Sequence, residues 1–211
     1  MQVPKIILTA AAFAGFCLAG AQQQPSDTNP PAPTNTPALL RATIRSEGGQ
    51  GQITSPRAYL SSGTNQLAFL VPDGFGLDES DPQKIVLTRP GLCRLTVRMS
   101  GPIPDGGLQA SVCRQNLLSE HPGAKVREEF ALPGANRIGP ALDIAFVTSA
   151  GLPRAGRFVY IPFRMGIVEF SCETSPDKFD ESLPHLNYIM VTLRSSDEQG
   201  KIESTPLADK L

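Results

Sequence analysis

Tryptophan is absent from the 211 residues, and the chain has only two histidines and four cysteines. The cysteines are far apart and include no C-x-x-C pair, which argues against a zinc site and against the usual motif of thiol oxidoreductases. An excess of positive charge is missing as well, because 19 Lys and Arg are balanced by 20 Asp and Glu. Without a basic field that attracts phosphates, we expect no nucleic-acid partner.

Two common signatures of enzymes and cofactor sites are also missing. No G-x-S-x-G turn is present for a serine hydrolase, and no Gly-rich loop lies between a strand and a helix to bind phosphate. His121 and His185 are isolated, with no acidic or cysteine neighbour at ligand spacing, so we expect them to face solvent rather than bind a metal. The sequence therefore predicts no metal and no cofactor.

The first 21 residues have the pattern of a secretory signal peptide. Lys5 gives a positive start, residues 6–18 are apolar, and Ala19-Gly20-Ala21 fits a small-residue cleavage site. The apolar run is 13 residues long, whereas a helix needs about 20 to span a bilayer. We therefore predict that residues 1–21 are removed rather than retained as an anchor, and that the mature chain starts at Gln22. The predicted location is periplasmic or secreted, with no stable membrane insertion.

Composition divides the rest of the chain into three parts. Residues 22–55 are rich in Pro, Gln and Gly and bury too little apolar surface to offset their ordering entropy, so they are predicted to be a disordered linker. A short strand or helix is conceivable at 38–44, but Gly48-Gly49-Gln50-Gly51 favours continued flexibility. Residues 56–196 form the predicted domain, and the polar residues 197–211 form a flexible tail.

Hydrophobic spacing within the domain is typical of β-strands separated by turns. The pattern predicts strands near 67–71, 84–88, 93–99, 126–131, 141–147, 158–163 and 167–172. The spacing becomes helical at 108–120, and a second helix is indicated after Ser175-Pro176-Asp177, where a proline and an acid favour a helix start. The last three strands are apolar on both sides. We therefore predict an α+β domain with an antiparallel β-sheet covered by helices on both faces.

The order of these segments is typical of one known fold. An early strand ends in Leu70-Val71-Pro72-Asp73-Gly74-Phe75, and the chain closes with Phe170-Ser171-Cys172 and a helix that carries Phe179, Ile189 and Leu193. In this order, residues 59–196 resemble the PsbP-like family, in particular its exported bacterial members without a photosynthetic role. The resemblance implies an α/β/α sandwich and, because most members are binding or assembly factors, a non-catalytic role. It provides no matching positions for metal or partner residues.

Three cysteines remain once the leader is removed. An odd number in an oxidising compartment implies one bridge and one free thiol, or no bridge. Cys93 lies on the apolar side of its strand and Cys113 on the apolar side of the next helix, so the two faces meet if the helix folds back on the sheet. We therefore predict a Cys93–Cys113 disulfide and a buried Cys172 thiol. The alternative, three reduced cysteines in the core, stays open.

Two carboxylates in apolar strands are the candidates for catalysis. Asp143 and Glu169 occupy strand centres, where an unpaired carboxylate is costly to desolvate. If the sheet brings them to a common cleft, they are a candidate general acid and base, and the alternative function is a hydrolase. The interpretation that we favour pairs them with strand arginines such as Arg94, Arg98 or Arg164, or turns them to solvent.

Strand arginines are the candidate binding residues. Arg94 and Arg98 share one side of a strand, and Arg154, Arg157 and Arg164 gather around one predicted hairpin. Planar guanidinium groups suit the recognition of a carboxylate or phosphate on a partner. The sequence therefore predicts an exported, non-catalytic binding or assembly module of the bacterial cell envelope, with an envelope protein or polymer as its partner. A hydrolase and a purely structural envelope protein remain the alternatives.

Overall fold

The structure is a computed structural model that describes residues 40–46, 56–62, 65–78, 81, 83–134, 137–163 and 166–196. The predicted signal peptide, the predicted tail, most of the predicted linker and Arg164 lie outside the described residues. The sequence-based statements about these parts stay predictions.

The described chain folds into two antiparallel sheets and two helices. In chain order, the elements are β1 (Leu40–Ser46), β2 (Pro56–Ser62), β3 (Asn65–Leu70), β4 (Gly76–Asp78), β5 (Lys84–Arg89), β6 (Cys93–Gly101), α1 (Ala110–Glu120), β7 (Lys125–Gly134), β8 (Arg137–Val147), β9 (Pro153–Phe163), β10 (Gly166–Thr174), α2 (Phe179–Thr192) and β11 (Arg194–Ser196). The smaller sheet has the order β1-β2-β3-β11, and the larger has the order β4-β5-β6-β10-β9-β8-β7. The strands and helices predicted from hydrophobic spacing are all present.

One face of the seven-stranded sheet, which we call the α2 face, is covered by α2 together with the smaller sheet. A single apolar cluster joins these layers, because side chains of β2, β3 and α2 pack on inward-facing side chains of β5, β6, β9 and β10. Its fully buried members include Leu67, Phe69, Leu95, Phe170 and Leu186. This cluster is the main core of the domain, and its burial is the principal term that stabilises the fold.

The opposite face, which we call the α1 face, is only partly covered. Cys113 and Leu117 of α1 pack on a second apolar cluster formed mainly by β8 and β9, with Leu142, Ile144 and Phe158 among its members. Alternation on β9 places Phe158 on the α1 face and its neighbour Val159 on the α2 face. The half of the α1 face built from β5, β6 and β10 has no helix above it in the described part of the chain.

Two predictions about the fold need correction. Helices covering both faces are not confirmed, because the second sheet shares the α2 face with α2, and α1 covers only the β8 side of the other face. The linker prediction for 22–55 was wrong at Leu40–Ser46, since this segment forms β1 and pairs along its whole length with β2. The adjacent glycines suggested flexibility, but the backbone hydrogen bonds to β2 give this segment an ordered place at the sheet edge.

Candidate functional site

The uncovered half of the α1 face is polar because strand alternation sends polar side chains there. On β6, Cys93, Leu95 and Val97 point toward the α2 face, so the side chains between them point the other way. The register of β6 and β10 then sets three cross-strand pairs side by side, which are Arg94 with Glu173, Thr96 with Ser171, and Arg98 with Glu169. Two of these three cross-strand pairs combine an arginine with a glutamate, so this surface carries both positive and negative charges.

Arg98 is held by two carboxylates. Its Nε lies 2.9 Å from Oε1 of Glu169 and its Nη2 lies 3.0 Å from Oε2, which is a bidentate pair. The same guanidinium also donates to Glu120 in the last turn of α1. Burial raises the pKa of Glu169, while the hydrogen bonds and charge of Arg98 act in the opposite direction. Arg98 therefore fastens α1 to the sheet, and its charge is already neutralised within the protein.

Two adjoining cavities open on this half of the face. The larger, the cleft, has a volume of about 480 Å³ and lies at the end of the sheet, where it is lined by Thr88, Arg89, Pro90, Gly91, Leu92, Cys93, Arg94, Thr148, Arg154, Glu173 and Ser175. The smaller, the groove, has a volume of about 190 Å³ and is lined by Lys84, Arg94, Thr96, Arg98, Glu120, His121, Phe158, Glu169, Ser171 and Glu173. Arg94 and Glu173 line both cavities.

The rim of the cleft is a tight turn between β5 and β6. Gly91 has a φ of +74°, which a residue with a Cβ rarely adopts, and the amide of Leu92 donates to the Arg89 carbonyl. The hydroxyl of Thr174 on β10 donates to the carbonyl of Leu92 and so fastens the turn to the neighbouring strand. The backbone that begins β6, and with it Arg94, is therefore positioned by a fixed turn.

Arg94 and Arg154 are the cations of the cleft that have no anionic partner among the described residues. Neither forms an ion pair or a side-chain hydrogen bond with another described residue. Arg94 is exposed, and Arg154 is half-buried. Three arginines and one carboxylate line the cleft, so its lining carries a net positive charge. A cavity with free guanidinium groups is suited to binding an oxyanion.

Arg89, the third arginine of the cleft, contacts α2 instead. Its Nη1 lies 3.4 Å from Nε2 of His185. Burial and the charge of Arg89 lower the pKa of His185, and the imidazole also makes an edge contact with the Phe75 ring at 5.1 Å between centroids. His185 is therefore half-buried, as is His121, whose ring packs beside Phe146 and Phe158. The prediction that both histidines face solvent was wrong.

The predicted pair of catalytic carboxylates is divided by the sheet. Glu169 is on the α1 face, whereas Asp143 lies on the α2 face and forms a bidentate ion pair with Arg157, with both contacts at 2.7 Å. Arg157 also stacks over the Phe130 ring at 4.7 Å. Because the two carboxylates are on opposite faces, they have no common cleft and no shared reacting atom. This geometry contradicts a hydrolase that uses Asp143 and Glu169 together as acid and base, and the interpretation of paired carboxylates is supported for both.

The predicted Cys93–Cys113 disulfide is not formed. Cys93 and Cys172 belong to the cluster on the α2 face, and Cys113 belongs to the cluster on the α1 face, so the sheet separates Cys113 from the other two. All three are free and buried. The sequence argument failed because α1 folds back on the face opposite to the one on which Cys93 lies.

No group of three His, Cys, Asp or Glu side chains within the described ranges is arranged to hold a metal ion. Helices α1 and α2 are both too short and too polar to cross a bilayer.

No family model matches this chain, and no curated protein matches it. Solved structures do match. The solution structure of cyanobacterial PsbP (CyanoP) from Synechocystis sp. PCC 6803 aligns over 70% of this chain and 96% of that chain, with 16% identity and a TM-score of 0.50. The chain has a PsbP-like fold. The resemblance stated from the sequence is thereby confirmed for the fold, although identity this low carries no information about function.

Two further solved structures match this chain with lower TM-scores. A protein of unknown function from Pseudomonas aeruginosa, PA94, described as a putative regulator, covers 68% of this chain and 91% of its own, with 14% identity and a TM-score of 0.42. LpqN from Mycobacterium tuberculosis, described as involved in cell envelope biogenesis, covers 73% and 90%, with 15% identity and a TM-score of 0.38.

Of the predicted binding residues, Arg94 and Arg98 lie on the open face of this PsbP-like domain, and Arg164 is outside the described residues. The structure adds Arg154 and Glu173 to the candidate site. Strict alternation along β10 places Glu173 on the same side as Glu169, which is a signal that the sequence contained. Arg154 belongs to the arginine cluster that the sequence places near a hairpin, but its approach to Arg94 depends on how the β8–β9 hairpin lies beside the β5–β6 turn.

Proposed function

We propose that this protein is an exported, non-catalytic module that binds a carboxylate or phosphate group of a cell-envelope protein or polymer in the cleft around Arg94. The observation that carries the proposal is the pair of guanidinium groups, Arg94 and Arg154, that no residue in the described part of the chain engages, in a cavity with one carboxylate, Glu173.

The energetics favour Arg94 over Arg98 as the residue that binds the anion. Arg98 is already engaged by Glu169 and Glu120, so a ligand would have to displace a formed bidentate pair. Arg94 offers its donors without that cost, and charge-assisted hydrogen bonds contribute about 1.5–3 kcal/mol each. Glu173 beside it accepts a hydrogen bond from a hydroxyl or ammonium group next to the anion. A ligand with adjacent anionic and donor groups therefore fits the cleft.

Export supports an envelope partner. Residues 1–21 have the composition of a cleavable leader, and the proline-rich residues that follow suit a spacer between the domain and a membrane or wall. The proposal of a non-catalytic role is supported by the separation of Asp143 and Glu169 on the two faces of the sheet.

A titration with defined anions tests the binding proposal. The full chain is titrated with acetate and, separately, with inorganic phosphate at constant ionic strength, and backbone NMR shifts are followed. We expect Arg94→Gln to weaken binding of the preferred anion about 10- to 100-fold, which is the loss of one or more charge-assisted hydrogen bonds. The matched control is Arg114→Gln, because Arg114 is an exposed arginine on α1 outside the cleft.

Acetate and phosphate distinguish a cleft that binds a carboxylate from a cleft that binds a phosphate group. Saturable shifts at the cleft with one anion identify the group that is bound, and unchanged affinity in Arg114→Gln shows that the effect is local. If neither anion produces saturable shifts at the cleft, or if Arg94→Gln and Arg114→Gln weaken binding equally, the proposed site is wrong.

A further inference from the structure

Cys93 and Cys172 are neighbours on adjacent strands. In the register of β6 and β10, Cys93 is opposite Thr174 and Cys172 is opposite Leu95, so the cysteines are diagonal neighbours offset by two residues. Both side chains point to the α2 face and belong to the same buried cluster. Diagonal positions of an antiparallel pair are about 7–8 Å apart, so a small shift of the two strands brings the short thiols within bonding distance.

The two thiols have different surroundings although they are adjacent. The hydrogen bond with Cys172 lowers the pKa of Cys93, as do a hydrogen bond with Ser182 and the charge of Arg89, whereas burial acts in the opposite direction. Cys172 shows the reverse effect, because Cys93 and burial together raise its pKa. Cys93 also lines the cleft, while Cys172 is completely buried. The thiolate that forms first is thus the one next to an opening.

We propose that Cys93 and Cys172 are a latent dithiol site that a small disulfide oxidant converts to a Cys93–Cys172 disulfide through the cleft. The Cys93 thiolate attacks one sulfur of the oxidant, its S–S bond breaks, and the first leaving thiolate takes up a proton. Cys172 then loses its proton and attacks the Cys93 sulfur of the mixed disulfide, and the second thiolate of the oxidant leaves and is protonated. Two protein thiols are oxidised and one oxidant disulfide is reduced to two thiols.

Cys113 provides an internal comparison. It is as buried as the other two, but it lies on the opposite face of the sheet and has no cysteine within its cluster. Burial raises the pKa of Cys113 to about 11, so this thiol stays protonated and unreactive at neutral pH. The bridge that forms therefore joins β6 to β10 beneath the cleft and leaves Cys113 reduced.

Peptide mapping after oxidation tests this pairing. The full chain is purified under reducing conditions, incubated with oxidised glutathione, denatured, alkylated and digested with trypsin. The sequence places Cys93, Cys113 and Cys172 in separate tryptic peptides, 85–94, 99–114 and 165–178. We expect 85–94 linked to 165–178 with the loss of two hydrogens, and 99–114 recovered alkylated. A link from 85–94 to 99–114, or full alkylation of all three peptides, would overturn the proposal.

Variants show that the linkage depends on the stated pair. Cys113→Ser retains the 85–94 to 165–178 link, and Cys93→Ser abolishes it without transferring the bridge to 99–114. Because the oxidation is carried out on purified protein, its outcome does not depend on export. If the bridge forms but neither anion binds in the cleft, the proposed function is wrong and the dithiol site stands. If an anion binds in the cleft but no bridge forms, the dithiol site is wrong and the proposed function stands.

Discussion

At the scale of single residues, the sheet assigns different roles to side chains of the same type. Arg98, Arg157 and Arg94 are all strand arginines, but the first two neutralise buried carboxylates, whereas Arg94 has no ion-pair partner within the described ranges. Removing one partner of a buried ion pair costs about 3–5 kcal/mol of stability. The role of Arg98 and Arg157 is therefore structural. The sequence identified the carboxylates that need partners, but the identity of each partner depends on strand register, which a single sequence does not specify.

Glu169 gives a pH-dependent prediction. Burial raises its pKa above the ordinary value of 4.5, so the folded chain holds this proton more tightly than the unfolded chain. The stabilisation from the protonated form is present below pH 4.5 and is lost as the pH rises through the folded pKa. The free energy of unfolding of the wild type minus that of Glu169→Gln should therefore fall as the pH rises above 4.5 and then level off.

Urea unfolding at a series of pH values between 4 and 8 measures this difference. Subtraction of the Glu169→Gln values removes the contribution of other carboxylates, which is common to both proteins. A difference that increases with pH would mean that Arg98 outweighs burial and would contradict the stated cause of the shift.

At the scale of elements, alternation and helical spacing predicted six strands of the seven-stranded sheet, strand β3 of the smaller sheet and both helices, because each of these segments carries its own pattern. The short strand β4 was not predicted. The smaller sheet was not predicted, because β1 lies in a Pro- and Gly-rich segment that indicates a linker and β11 comes from the other end of the chain. In particular, β11 is only three residues long and pairs with β3 through Arg194 and Ala68. The location of α1 on the face opposite to Cys93 was also not predictable, since the connection after β6 leads to either face.

Leu117 on α1 tests how this helix is held. Its side chain is almost fully buried against the cluster on the α1 face, whereas Val112 on the same helix is 39% exposed. Removing a buried leucine side chain costs about 2–5 kcal/mol. We expect Leu117→Ala to lower the free energy of unfolding by that amount and Val112→Ala to lower it by less than about 1 kcal/mol. Equal losses would mean that α1 does not pack as described.

At the scale of the whole molecule, the sequence of a predicted leader and spacer is followed by a PsbP-like domain. Half of the α1 face of this domain is polar and has no helix above it in the described part of the chain. The candidate site was predicted in part from the sequence, since Arg94 was named from strand alternation. Arg154 was named only as one of the hairpin arginines, and Glu173 was not named, because both reach the cleft from other strands. Which arginine stays unpaired depends on all of the strand registers together.

Export is tested by the N-terminus of the protein recovered from expressing cells. If residues 1–21 are a cleavable leader, N-terminal sequencing of the protein in the periplasmic or extracellular fraction should start at Gln22. Replacing Ala19 and Ala21 with bulky residues is the matched control and should block processing. Recovery of an intact N-terminus in the cytoplasmic fraction would contradict the export proposal.

The guanidinium signals of the wild-type chain provide the most direct test of the central claim that free arginines in the cleft bind an oxyanion. The Nε–Hε resonances are assigned by single Arg→Gln substitutions and followed during titration with phosphate and with acetate. We expect saturable shifts at Arg94 and Arg154 with a shared dissociation constant, while Arg98 and Arg114 stay unchanged. Shifts of similar size at all four arginines, or at none, would contradict the account.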